Sequence, residues 1–583
     1  MDSKLILKFF ILFLSAILSY VPQFSTQTKN TFRLDKVFPK PIEFSNIQSG
    51  GDLGIRLEKN FNRLEDQIYQ PDTAFAMSPT WPGDYIGRLV LALTLLSQST
   101  HHEAKDLEQI IKMFPSKMNS LGYFGEILPK GMADEQQLAG NGWVLRGLCE
   151  YYLWKKDPKV LDMIRKIINN LAYPTINMQA NYPINPIKHE HGGSYIGHRE
   201  EKVVNGWILS TDIGCNFIFL DGLTQAYEIL REPKLKSLID VMMGVFLKID
   251  LAAIEAQTHA TLTALRALCR YYELTKNPML LKAIIERFDL YKKKAMSANY
   301  ENYNWFGRPT HSEPCAIIDS YIVANYLWRF TQNPIYLEDA QHIYYNAIGA
   351  TQRDNGGFGC NTCSGAQNPN LGMSIYEAYW CCTMRGGEGL SRVAQYTYYT
   401  KGNNIFLTDF LTNKASIHFG QEAITVKLSS NYPFGGDSQI EVLNSQLNSK
   451  VNFRIFAPSF TADYHIKINN QPVKFRKENG FCVINRKFKT GDKINISCQL
   501  KKQIKKPVGE YVIKGYKTIQ YGPLILSVYK SGNKYKDVDI PANAKLIILS
   551  DHTFEYGNMK LIPVYNLMDK FSEKQILFKI SNN

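Results

Sequence analysis

YLWKKDP, residues Tyr152 to Pro158, ends one amphipathic stretch on an aromatic residue and opens the next with a proline six positions later. Three more copies follow: YEILREP (Tyr227 to Pro233), YELTKNP (Tyr272 to Pro278) and WRFTQNP (Trp328 to Pro334). A polar residue and then proline suits a short turn that places Pro in the first turn of the next helix, so each copy predicts a helical hairpin. The copies lie 45 to 75 residues apart, and the span from about 80 to 400 has room for about six hairpins, as an open solenoid or a closed ring. Long connections rich in Gly, His and aromatic residues interrupt the repeats at 172–212, 294–314 and 350–388. Loops of that kind gather at one mouth of a barrel, which favours the ring.

After about residue 405 the apolar period becomes two. AITVKL (Ala423 to Leu428), VNFRIF (Val451 to Phe456) and YHIKI (Tyr464 to Ile468) alternate, and Asn469-Asn470 signals a turn. The fold class expected is therefore multidomain α+β: an (α/α)6 helical toroid over residues 28–405, followed by one or two C-terminal β-sandwich domains over 406–583. Residues 1–27 read as a signal peptide. Lys4 and Lys8 precede the 13-residue apolar run FFILFLSAILSYV (Phe9 to Val21), which Pro22 ends. A bilayer span needs about 20 apolar residues, so a periplasmic or secreted protein without a lasting membrane anchor is expected.

The 583 residues, 45% hydrophobic and 21% charged, exclude a disordered chain and exceed a single core. The formal charge of +14 suits an anionic glycan better than nucleic acid in an exported protein, and much of the Lys excess falls in 450–583, where it also fits solvated surface. Ten cysteines invite disulfides outside the cytosol. Cys149, Cys215 and Cys269 lie in apolar helical patterns as buried thiols, and Cys482 with Cys498 forms a disulfide candidate on neighbouring strands.

Reactive side chains concentrate in Ser312-Glu313-Pro314-Cys315, in Gly359-Cys360-Asn361-Thr362-Cys363, and in Trp380-Cys381-Cys382-Thr383-Met384-Arg385-Gly386-Gly387-Glu388-Gly389. A Glu-x-Cys at a helix start and a vicinal Cys pair supply one carboxylate and three sulfurs, a donor set suited to tetrahedral Zn²⁺. Metal coordination would hold the thiols as thiolates near neutral pH. Spacing alone fits a closed structural zinc site, a Cys381–Cys382 vicinal disulfide, or an open catalytic centre. Tyr376, Tyr379, Trp380 and Arg385 around the pair read as a sugar platform and favour the last.

Glu313-x-Cys315 followed by Cys381-Cys382 resembles the signature of glycoside hydrolase family 127, the β-L-arabinofuranosidase-like enzymes. The resemblance extends to the helical repeats, to Gly222-Leu223 and the hairpin after it, and to Tyr521-Gly522-Pro523-Leu524. It implies an (α/α)6 barrel followed by β-sandwiches, a zinc ion bound by one Glu and three Cys, and a retaining mechanism in which the first Cys of the pair attacks the anomeric carbon. Carried onto this chain, Glu313, Cys315, Cys381 and Cys382 are the metal ligands and Cys381 the nucleophile. Glu301 is the acid/base carboxylate and His259 lines the sugar subsite. Glu313 follows Glu301 by 12 positions, a shorter spacing than the family's. Gly83-Asp84-Tyr85 stands where Gly-His-Tyr is common, and Thr383-Met384-Arg385 where prolines follow the cysteines.

Trp305, Arg308, Trp380 and Arg385 complete the expected substrate contacts, with either arginine able to pair with a uronate or sulfate. A loop holding Tyr303, Trp305 and Phe306 would desolvate Glu301 and raise its pKa. His189-Glu190-His191 with His198-Arg199-Glu200 reads as a polar lid or a metal site, and Cys360-x-x-Cys363 as a loop disulfide or a support at the mouth. Two other functions compete: a polysaccharide lyase using Tyr300, Asn302 and Arg308, and a non-catalytic glycan-binding protein with structural zinc.

Overall fold

The computed structural model describes residues 37–77, 80–185, 195–365, 368–529, 540–541, 544–557, 559–566 and 573–581. The signal-peptide segment and His189-Glu190-His191 lie outside them. No helix among the described residues is long and apolar enough to cross a membrane.

Among the described residues, twelve helices of nine or more residues form the first part of the chain. They are α1 (Gly51–Leu64), α2 (Asp84–Thr100), α3 (Leu107–Lys117), α4 (Glu135–Lys155), α5 (Pro158–Ile167), α6 (Phe219–Leu230), α7 (Pro233–Phe246), α8 (Thr258–Thr275), α9 (Pro278–Lys294), α10 (Pro314–Thr331), α11 (Ile335–Ile343) and α12 (Cys382–Gln395). The ring closes through α2, α4, α6, α8, α10 and α12, each packed on the next and α12 back on α2. Outside it, α3, α5, α7, α9 and α11 pair with the inner helices before them, and α1 covers α12.

The repeated heptapeptides are the turns of these hairpins. In the first, the Lys156 N–H donates to Tyr152 O at 2.8 Å while Lys156 takes a left-handed conformation (φ 58°), and Asp157 caps α5 by accepting the Lys159 N–H at 2.9 Å. Arg231, Lys276 and Gln332 repeat the left-handed residue. A helix closed by one positive-φ residue and restarted by a cap and Pro can fold straight back on itself.

Inner and outer helices differ in burial as a ring requires. In α10 nearly every residue is buried, whereas α5 buries Val160, Met163, Ile164 and Ile167 and leaves the rest half-buried or exposed. Those four positions follow the i, i+3, i+4, i+7 spacing of a one-sided helix, each side chain contributing about 1.5–3 kcal/mol on burial. Close packing of α2 on α4 needs glycine: a Cβ on Gly87 would lie 2.3 Å from the Val144 nitrogen.

Behind the ring, a six-stranded sheet contains Tyr398–Lys401, Asn404–Leu407, Val451–Phe456 and Phe481–Arg486, and a seven-stranded sheet contains Asn413–Phe419, Glu422–Ser430, Asp437–Ser445, Thr461–Ile468 and Lys493–Leu500. The two N-terminal strands Lys40–Pro41 and Ile47–Ser49 add an edge to each. A third sheet is built mainly from Tyr516–Tyr521, Leu524–Tyr529 and Met559–Pro563. The multidomain α+β architecture of a helical toroid with C-terminal β-sheet domains is thus present. Cys482 and Cys498 lie on different sheets and are free thiols, so that candidate disulfide is absent.

Candidate active site

Helices α2, α8, α10 and α12 begin at the same end of the ring and carry the chemistry in or beside their first two turns: Asp84 and Arg88, His259, Glu313 and Cys315, and Cys381 with Cys382. Glu313 occupies the N-cap of α10, ahead of Pro314, and Cys381 the N-cap of α12. The N-terminal ends of helices carry partial positive charge, so the fold aims anion-stabilising dipoles at the cluster.

One ligand atom each from Glu313, Cys315, Cys381 and Cys382 lie within 4.8 Å of one another. The Cys315 and Cys382 sulfurs are 3.7 Å apart, and those of Cys381 and Cys382 3.4 Å. Zn–S bonds near ~2.3 Å in a tetrahedron put sulfurs about 3.8 Å apart, so the spacing fits a metal centre, and it is far too long for a vicinal disulfide. Glu313 Oε2 is buried without a hydrogen-bond partner, an acceptor left available to a cation. Burial first, and then the neighbouring cysteines, push the Cys315 and Cys382 thiols well above their ordinary range, so three anionic sulfurs here require a positive ion. The residues fit zinc.

The surrounding groups tune this set. Arg88 donates to Cys315 Sγ at 3.5 Å and grips Asp84 through Nε and Nη2, both at 2.8 Å. His259 Nδ1 lies 3.2 Å from Glu313 Oε1, and its ring stacks on Trp143 with centroids 5.8 Å apart. Burial would raise the Glu313 carboxyl, but His259 and Arg88 outweigh it and hold the pKa below the usual value.

Cys381 opens onto a cavity of about 240 Å³, whereas Cys315 and Cys382 lie fully buried behind it. The lining includes Trp81, Asp84, Arg88, Tyr195, Asp212, His259, Glu313, Tyr379 and Trp380. A three-stranded sheet of Ala133–Asp134, Trp207–Ser210 and Arg199–Val204 flanks this mouth and delivers Asp212 two residues past its central strand. Arg199, expected in a polar lid, bonds Asp134 within that sheet at 2.7 Å.

Of the sequence-derived candidates, Glu313, Cys315, Cys381 and Cys382 come together, and His259 and Trp380 line the cavity beside them. Four others do not line it. Glu301 is fully buried, its Oε1 accepting from Asn361 Nδ2 at 2.8 Å. Burial does push its pKa up, to about 7, as the aromatic loop predicted. Trp305 is buried against His311 with Arg308 above its ring, and Arg308 pairs with Glu255 at 3.5 Å. Arg385 does not reach the cavity but lies in a buried network with Asp319 and Glu388. Cys360 and Cys363 are free and buried, Cys360 bonding to the Cys382 thiol and Cys363 to Asn302 O at 3.4 Å, so no loop disulfide forms.

Asp84, Arg88 and Asp212 escaped the sequence reading. Asp84 does occupy the altered Gly83-Asp84-Tyr85 position, and its i,i+4 spacing to Arg88 was an available signal. Asp212 ends the long 172–212 connection, where no local pattern distinguishes it from any loop carboxylate.

Residues 404–500 match the family model described as Beta-L-arabinofuranosidase, GH127 middle domain. No curated protein sequence matches the chain. Among solved structures, a GH127 β-arabinofuranosidase superposes with a TM-score of 0.68 at 14% identity over 94% of this chain and 99% of its own. A structure described as a glycoside hydrolase gives 0.70 at 14% over 94% and 99%. A GH127 β-L-arabinofuranosidase from Geobacillus stearothermophilus gives 0.67 at 12% over 92% and 100%. At such identity the likeness establishes a shared fold, from the ring through the sheets.

Proposed function

We propose that this GH127-like chain is an exported, periplasmic or secreted, retaining glycoside hydrolase of the β-L-arabinofuranosidase-like type, acting on plant or algal polysaccharide fragments with Cys381 as nucleophile. Glu313, Cys315, Cys381 and Cys382 would hold a zinc ion, which when bound keeps the sulfurs anionic near neutral pH. The observation that carries this reading is the asymmetry of the cluster: four converging ligands, of which the Cys381 sulfur faces an open cavity. A closed structural site would seal all four.

The cavity supplies the rest from the chain's own residues. Trp81, Tyr379 and Trp380 offer apolar faces for a sugar ring, and Trp81 Nε1 is anchored on Gly197 O at 2.9 Å, fixing its plane. Arg88, which donates to Cys315 and places its charge near Cys381, and the start of α12 stabilise negative sulfur in the cluster, and His259 orients Glu313. Among the described residues, three carboxylates line the cavity against one arginine, already held by Asp84. That balance suits a neutral sugar rather than the acidic glycan suggested by net charge. It also weakens the lyase alternative, whose Tyr300 and Asn302 are buried away from the lining.

The test is to incubate the zinc-loaded protein with aryl L-arabinofuranosides and with uronate polysaccharides, then measure reducing ends and unsaturated products. Hydrolysis without unsaturation, abolished in Cys381→Ser with circular dichroism unchanged, is the expected result. Unsaturated ends, or full activity in Cys381→Ser, would reject the reading.

A further inference from the structure

We propose that Asp212 is the acid/base carboxylate of this cavity; this rests on the glycosidase reading above. A double displacement needs one carboxylate that gives a proton and then takes one back, and it must reach the substrate. Among the described residues, Asp84, Asp212 and Glu313 are the carboxylates in the lining. Asp84 is committed, both its oxygens being held by Arg88 at 2.8 Å. Glu313 belongs to the ligand set and faces His259.

Asp212 differs from both. No Lys or Arg pairs with it among the described residues; its Oδ2 accepts the Gly197 N–H at 3.2 Å, and Gln257 adds a side-chain bond. Gly197 is required for that approach, since a Cβ there would lie 2.4 Å from the same oxygen. The groups facing Asp212 across the cavity are Asp84, Arg88, His259, Glu313 and Cys381. Burial, followed by the Glu313 charge and then that of Asp84, pushes its pKa up to about 7, so it holds or releases a proton near neutrality. An occupied metal site would not reverse this, because three thiolates and a carboxylate outnumber the two charges of a divalent ion. Glu301 has a similarly raised pKa but no face on the cavity, so access separates the two.

In the first half-reaction the Cys381 sulfur bonds to the anomeric carbon as the glycosidic C–O bond breaks, and the leaving oxygen takes the Asp212 proton. In the second, water bonds to that carbon and gives a proton to Asp212, and the S–C electron pair returns to Cys381. Configuration is retained and the enzyme regenerated.

The experiment compares the zinc-loaded wild type with Asp212→Asn, Asp212→Gly and Glu301→Gln on methyl and dinitrophenyl β-L-arabinofuranosides. Asp212→Asn should lose about 10²–10⁴-fold in kcat/KM on the methyl glycoside and much less on the dinitrophenyl glycoside, whose leaving group needs no proton. Azide should restore turnover in Asp212→Gly and yield the glycosyl azide, while Glu301→Gln keeps the wild-type ratio between the substrates. Equal losses on both substrates without azide rescue, or the leaving-group pattern appearing in Glu301→Gln, would overturn the assignment. A wild type inactive on both glycosides would overturn the functional reading and the assignment with it. Carboxyl ¹³C NMR reads Asp212 without turnover: a resonance missing from Asp212→Asn should titrate near neutral pH, and an Asp212 still ionised at about pH 5 would reject the assignment alone.

Discussion

Replacing Asp319 by Asn should unfold this protein more readily than any surface change of the same size. Asp319 is fully buried beneath the site, where it pairs with Arg266 Nη1 at 2.6 Å and with Arg385, and accepts from Thr263 Oγ1 at 2.7 Å. Burial opposes its charge, but Arg385 and Arg266 outweigh that and hold its pKa below the usual value. Asn matches the volume, so no cavity opens, yet two buried guanidinium groups each lose an anionic partner. Removing one partner of a buried ion pair costs about 3–5 kcal/mol, a shift of roughly 10²–10⁴ in the unfolding equilibrium. Urea denaturation followed by tryptophan fluorescence would measure it. A depressed carboxylate stabilises above its unfolded pKa of about 3.9 and loses that contribution as pH falls through its folded value. The gap between wild type and Asp319→Asn should therefore be full at pH 7 and narrow only below about pH 4. A difference under about 0.5 kcal/mol at pH 7, the range of surface substitutions, would refute this account of the network.

Glu135, buried and bonded to Tyr182 and to the Ser210 N–H at 2.8 Å, has its pKa pushed up to about 8, chiefly by burial. An acid with a raised folded pKa loses stability as pH rises from its unfolded value near 4.5 toward 8, so Glu135→Gln should gain on the wild type across that window in pH-dependent denaturation. Gly87→Ala should destabilise by about 1–3 kcal/mol or more in calorimetry, because the new methyl meets the α4 backbone. His259→Gln should weaken zinc binding by about 10–100-fold in chelator competition, through loss of its contact to Glu313; unchanged affinity would remove the orienting role.

Much of the ring was legible because its turns are written in local chemistry. A left-handed residue, a cap and a proline recur at Lys156-Asp157-Pro158 and Lys276-Asn277-Pro278, and neither needs distant contacts to form. The outer partner of α12 was not legible. It is α1, more than 300 residues earlier, and nothing local announces such a pairing. Strands such as Val451–Phe456 kept a clean period of two, whereas Lys40–Pro41 and Ala133–Asp134 are two-residue strands with no period to read. In the site, cysteine and glutamate at a helix start are rare enough to signal themselves. Direction was the harder quantity: Arg385 and Trp305 are sequence neighbours of site residues, yet a helix turn and a loop reversal carry them away from the cavity. Asp212 shows the converse, an ordinary aspartate made special only by what surrounds it.

The central claim is a zinc ion held by three sulfurs and one carboxylate, with one sulfur facing solvent. X-ray absorption at the zinc edge of the purified protein tests it most directly. The account predicts about one zinc per chain with three sulfur neighbours near ~2.3 Å and one oxygen near ~2.0–2.2 Å, with one sulfur fewer in Cys381→Ser. A zinc-free protein, or a first shell unchanged by that substitution, would contradict it.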